Sequence, residues 1–156
     1  MDEIDTIEIT TNFWRVPSER RAFDGILEGN PSQEERQQII AEAKAARAAW
    51  KPSPEGWAMV EQLRAFSGFK VRIQFWDSIM WMLEEEGPYP AEAYCHGVTL
   101  LTDCDGFLQA YLMVEGVKEL PNEDGYSPEG YFQQRADCEF FLAPVANIYT
   151  VSKVVA

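Results

Sequence analysis

At Gly68 the chain changes its hydrophobic period, and no other feature of its 156 residues limits the possible folds as much. Upstream, apolar residues recur at three- and four-residue spacings, as on a helix with one buried face. Downstream, Phe69, Val71, Ile73 and Phe75 alternate with Lys70, Arg72, Gln74 and Trp76, the two-residue repeat of a half-buried strand. The expected fold is α+β in a single domain over 1–156, with a helical part at about 30–68 and a β-rich part at about 69–156. An N-terminal strand and a two-helix hairpin are expected to pack on an antiparallel sheet or a small β-barrel.

The helical part carries its own punctuation. Ser32 precedes Gln33-Glu34-Glu35, so Ser32 caps a helix and Glu35 reaches back as the other half of a capping box. Ile39, Ala43, Ala46 and Trp50 then mark one face, six alanines between 41 and 49 add propensity, and Pro52 stops the run. Ser53 and Pro54 open a second helix, with Trp57, Val60, Leu63 and Phe66 as its apolar stripe, Met59 beside it and Gly68 as its stop. So short a connection implies a helical hairpin.

Elsewhere the signals are those of strands and turns. Thr6 to Trp14 is rich in β-branched and aromatic residues and reads as a first strand, followed by a connecting loop from Pro17 to Pro31. Ser78 to Leu83 fits either a hairpin turning at Asp77-Ser78 or a short helix capped by Asp77, and Glu84 to Pro90 is a proline-stiffened loop. Val98 to Leu101 and Phe107 to Val114 flank Thr102-Asp103-Cys104-Asp105-Gly106, a hairpin signal. After a turn-rich loop at 121–130, Cys138 to Leu142 alternates, Pro144 interrupts, and Ile148 to Val155 forms a last strand.

Charge narrows the function classes. The chain has 26 Asp and Glu against 13 Lys and Arg, net −13. Residues 81–156 hold 13 of those acids against only Lys118, Arg135 and Lys153, net −10, so the acidity belongs to the β half. Phosphate affinity comes from clustered Lys and Arg, so direct nucleic-acid binding and attachment to anionic membranes are not expected. The acidic start Met1-Asp2-Glu3 and the lack of an apolar run near the roughly 20 residues of a membrane span indicate a cytoplasmic protein. Cys95, Cys104 and Cys138 are odd in number and show no CxxC spacing, so they read as reduced, buried thiols.

No GxSxG, GxxxxGK[ST] or GxGxxG occurs. His96 is the sole histidine and neighbours Cys95, but adjacent strand residues face opposite ways. Cys104 facing His96 across a hairpin would leave a thiol site open, and these two form the alternative site. Asp103, Cys104, Asp105 and His96 lack the short-spaced ligand pairs of zinc sites, and Asp-x-Asp-Gly is too short for a calcium loop, so turn chemistry is the better account. Neither metal nor cofactor is expected, and no catalytic residue is assigned.

The candidate partner-binding residues are aromatic or acidic. Trp76 lies on the outward face of its strand, either covered by the helices or exposed as an anchor. Glu84, Glu85 and Glu86 form a charge run; Asp103 and Asp105 sit at the hairpin; Glu123, Asp124, Tyr126, Glu129 and Tyr131 share the long loop. Tyrosine among carboxylates suits a basic partner. The leading expectation is a non-enzymatic acidic binding protein of immunity or inhibitor type, a nucleic-acid charge mimic being one form of it, engaging a basic protein. The alternatives are a small-molecule-binding domain or enzyme with its site near His96 and Cys104, and a structural or assembly subunit. Oligomeric state has no sequence signal here.

Overall fold

A computed structural model describes residues 5–9, 13–17, 29–75, 91–119 and 132–154. In chain order they form β1 (Thr6–Glu8), α1 (Gln33–Ala49), α2 (Pro54–Leu63), β2 (Lys70–Phe75), β3 (Ala91–Thr102), β4 (Leu108–Glu119), β5 (Gln133–Arg135), β6 (Cys138–Pro144) and β7 (Ile148–Lys153). Single 3₁₀ turns at Arg64–Phe66 and Val145–Asn147 follow α2 and β6. The helices therefore precede the main β run, as the change of period at Gly68 implies, and Gly68 itself adopts φ +87°.

The strands form one antiparallel sheet in the order β1-β7-β2-β3-β4-β6-β5. It is open, with β1 and β5 at its edges, so the barrel alternative is not realised. The sheet nonetheless curls. The ring of Phe132, just before β5, packs edge-on against Phe75 of β2 at 5.2 Å, although three strands separate β2 from β5 in the order. Both edge strands are three residues long, which limits the unpaired backbone offered to another chain.

One face of the sheet holds the core. Val71, Ile73, Phe75, Cys95, Leu112, Val114, Ile148 and Val151 are fully buried there against Val60 and Leu63 of α2, with Phe66, Ile9 and Trp14. Both helix caps form as expected. Ser32 Oγ accepts from the Glu35 N–H at 3.2 Å, and its hydroxyl lies 3.0 Å from the Glu35 carboxylate; Ser53 Oγ accepts from the Gly56 N–H at 3.1 Å.

The two helices differ in how they are used. Helix α2 buries Gly56, Met59, Val60 and Leu63, while Trp57 stays 39 % exposed at the margin of the stripe. Helix α1 buries no residue at all across its 17 positions, so it does not form the closely packed half of a hairpin. Its half-buried positions include Ile39, Ala43 and Arg47, and Ala46 faces solvent instead. What holds it is its last turn. Arg47 donates to the Pro17 carbonyl at 3.1 Å, pairs with Asp105 at 3.2 Å and lies over the Phe107 ring, and Trp50 meets both Trp14 and Phe107 edge-on. Alanine-rich composition secures the helix locally without giving it an apolar face to bury.

Several sequence expectations shift at the margins. The first strand is shorter than expected, ending at Glu8, and the backbone turns at Phe13 and Trp14. Phe69 precedes its strand and remains 45 % exposed under the Lys153 ammonium, 4.1 Å from the ring centroid. Ser78 to Leu83 lies outside the described residues.

Candidate functional site

The outer face of the sheet, opposite the core, carries the chemistry. Two bulges decide which side chains point there. Gly97, at φ +130°, follows a slip in which His96 is the extra residue between the Cys95–Val114 and Gly97–Met113 pairs. Gly116, at φ +65°, sits at a second slip between the Glu92–Lys118 and Tyr94–Glu115 pairs. Glycine makes both conformations accessible, and the bulges re-aim the residues beside them.

His96 consequently points outward while Cys95 is buried in the core. Its Nε2 lies 2.8 Å from a Glu115 carboxylate oxygen, its ring stacks on Phe140 at 4.2 Å, and Tyr94 approaches edge-on at 5.0 Å. Beside Phe140 runs a groove of about 550 Å³ between the last residues of β3, the middle of β4 and the β5–β6 hairpin. Leu101, Met113 and Phe140 supply its apolar surface, and Asp137 and Glu139 its carboxylates. Asp137 is engaged by Arg135, whereas Glu139 is exposed and has no ion-pair partner among the described residues.

A second cleft of about 550 Å³ lies toward the β3–β4 turn, lined in part by Gln109, Tyr111, Gln133, Arg135 and Asn147. Arg135 crosses between the two sites, donating to the Thr102 carbonyl at 2.7 Å and to both Asp137 oxygens at 2.9 Å. Burial pushes the Tyr111 phenol above its ordinary value of 10.0, partly offset by a hydrogen bond from Arg135. The Asp137 carboxylate raises the Arg135 guanidinium further, so it stays charged.

A third polar cluster is structural. Glu92 is nearly buried on the outer face and receives Arg72 at 2.8 Å and Lys70 at 3.3 Å. The Arg72 hydrogen bond holds its carboxyl below the ordinary value of 4.5, with Lys70 adding to the effect and burial opposing it.

The residues singled out from sequence fare differently. Asp103 is a turn residue, its Oδ1 accepting from the Asp105 and Phe107 N–H groups at 2.9 Å each, with Gly106 at φ +89° closing the loop. Asp105 is paired with Arg47. His96 and Cys104 are not brought together, because His96 sits mid-strand facing Glu115 and Cys104 sits in the turn. Thr102, at the end of the strand, lies six residue steps from His96, about 20 Å. Cys104 is exposed and Cys138 half-buried, so only Cys95 is the buried thiol expected of all three; desolvation raises its pKa. Trp76, Glu84, Glu85, Glu86, Glu123, Asp124, Tyr126, Glu129 and Tyr131 lie outside the described residues. Among the described residues no three His, Cys, Asp or Glu side chains gather as a metal site would need, and no helix is long and apolar enough to cross a membrane.

Sequence reading passed over Tyr94, Gln109, Tyr111, Glu115, Arg135 and Phe140. Only the glycines at 97 and 116, unusual inside strands, signalled that alternation fails there. In comparisons with known proteins, no family model, no curated protein and no solved structure matches the chain.

Proposed function

We propose that the protein is a non-enzymatic binding protein, of inhibitor or immunity type, that takes a basic segment of a protein partner on the outer face of its sheet. The observation that carries this reading is the groove beside Phe140, where the apolar surface of Leu101, Met113 and Phe140 adjoins the exposed carboxylate of Glu139. Such a surface complements a segment that presents both apolar and cationic side chains. The net charge of −10 over residues 81–156 favours the same partner and speeds its approach.

The test is affinity capture from the native host with the wild-type chain and with Glu139→Lys combined with Phe140→Ala. Basic proteins are expected to be retained at low salt, released as salt rises, and lost from the variant. Retention of the same proteins by the variant, or a captured set without basic bias, would count against the reading.

A further inference from the structure

We propose that the cleft at the β3–β4 turn binds a neutral, hydroxyl-rich small molecule of the size of a mono- or disaccharide. This site is separate from the groove beside Phe140 and does not rest on the protein-binding reading. Its lead feature is Gln109, only 6 % exposed and lining the cleft. The side chain makes one hydrogen bond, from Nε2 to the Leu108 carbonyl at 3.2 Å. Its carbonyl oxygen and second N–H have no partner among the described residues. A buried amide left unpaired is costly, so a hydrogen-bonding occupant of the cleft is the economical explanation.

The ligand class follows from the lining. The Gln133 and Asn147 side chains share the cleft, and neither makes a hydrogen bond among the described residues. A primary amide both donates and accepts, as does a hydroxyl, so three amides around one space match the edges of a sugar ring. Tyr111 and Pro144, both buried, add carbon surface, and about 550 Å³ lies within the range of small-molecule sites.

Charge argues against ionic ligands. The Arg135 guanidinium, the cation of this lining, is already held by both oxygens of Asp137 and by the Thr102 carbonyl, which leaves a phosphate or carboxylate no free cation to pair with. The Asp103 carboxylate is tied to its own turn through Oδ1, which weakens its pull on a cationic ligand.

The experiment is saturation-transfer NMR and calorimetry on the full chain. The probes are glucose, N-acetylglucosamine and maltose against glucose 6-phosphate, glucuronate and glucosamine. At least one neutral sugar is expected to bind, about tenfold or more tighter than its charged counterparts. Asn147→Ala, at an exposed position, should weaken that binding several-fold. Gln109→Leu should abolish it while raising Tm by roughly 2–4 °C, because it removes an unpaired amide. The proposal is overturned by silence from all three neutral sugars, by preferred binding of a charged probe, by unchanged affinity in both variants, or by a Gln109→Leu chain that melts lower than wild type.

Discussion

The indole N–H of Trp14 donates to the carbonyl of Gly56 across 2.9 Å, joining residues 42 positions apart. The ring is fully buried, with Trp57 edge-on at 5.3 Å and Trp50 edge-on at 6.5 Å. This contact ties the segment after β1 to the start of α2, and through Trp50 it reaches the end of α1. Burying so large a ring beside a satisfied N–H makes Trp14 the point where the N-terminal strand, both helices and the sheet become one cooperative unit.

Trp14→Ala is therefore expected to cost about 3–5 kcal/mol, and Trp14→Phe about 2 kcal/mol, through the cavity and the lost hydrogen bond. Urea unfolding followed by circular dichroism measures both. A loss below about 1 kcal/mol for Trp14→Ala would show that the N-terminal segment frays independently of the sheet.

Asp103 distinguishes a turn role from a partner-binding role. Asp103→Ala removes the acceptor of two backbone N–H groups and should lower stability by about 1 kcal/mol, whereas Asp103→Asn keeps an acceptor oxygen and should stay within about 0.5 kcal/mol of wild type. If the two variants are equally destabilised, charge rather than hydrogen bonding matters at this position.

Acid stability should depend on Glu92. Its folded carboxyl titrates below 4.5, chiefly because Arg72 donates to it, so the folded state binds this proton more weakly than the unfolded chain. The stabilisation is complete above about pH 4.5 and is lost as pH falls through the folded value. Glu92→Gln should be less stable at neutral pH and lose less on acidification. Urea midpoints across the acid range report the slope, and an acid limb as steep as wild type would assign it to other carboxylates.

The thiols should react in the order of their exposure. Cys104 is exposed, Cys138 half-buried, and Cys95 lies in the core with its pKa raised by desolvation. Alkylation near pH 8 followed by peptide mass spectrometry should label Cys104 first and Cys95 last, with about a hundredfold or greater protection of Cys95 that vanishes on unfolding. Prompt labelling of Cys95 in the folded protein would contradict its burial between β2 and β4.

How legible each feature was depends on how far its cause reaches along the chain. The Ser32 and Ser53 caps, Pro54 at the start of α2 and the Asp103–Gly106 turn each rest on contacts within about four residues, and each is found where the sequence places it. Helix α2 instead ends at Leu63, ahead of the expected stop at Gly68, whose N–H donates to the distant Cys95 carbonyl at 2.8 Å. The α1 stripe misleads for the same reason. Local spacing predicts a helix correctly but cannot say whether another element arrives to cover Ala43 or Ala46. Trp57 and Phe69 likewise carry strong apolar character, yet both stay largely exposed.

The candidate sites were legible only in part. Acid-rich composition marked the β half, and His96 stood out as the sole histidine. Its actual companions, Glu115 on the next strand and Phe140 beyond it, lie 19 and 44 residues away and meet it only through strand register. Gln109 and Tyr111 have no sequence signature as site residues, since exposed and buried strand positions look alike when both faces of a sheet are partly covered.

The amino-acid sequence by itself determined the change from helical to strand period at Gly68, the capped helix starts, the hairpin turn and the acidity of the second half, all properties of neighbouring residues or of composition. Tertiary structure alone decided that the sheet stays open, that α1 remains on the surface, and that bulges at His96 and Gly116 reset which β3 and β4 side chains face outward. Those outcomes depend on which strands hydrogen-bond and in what register, and a one-residue slip in register reassigns every side chain between the two faces.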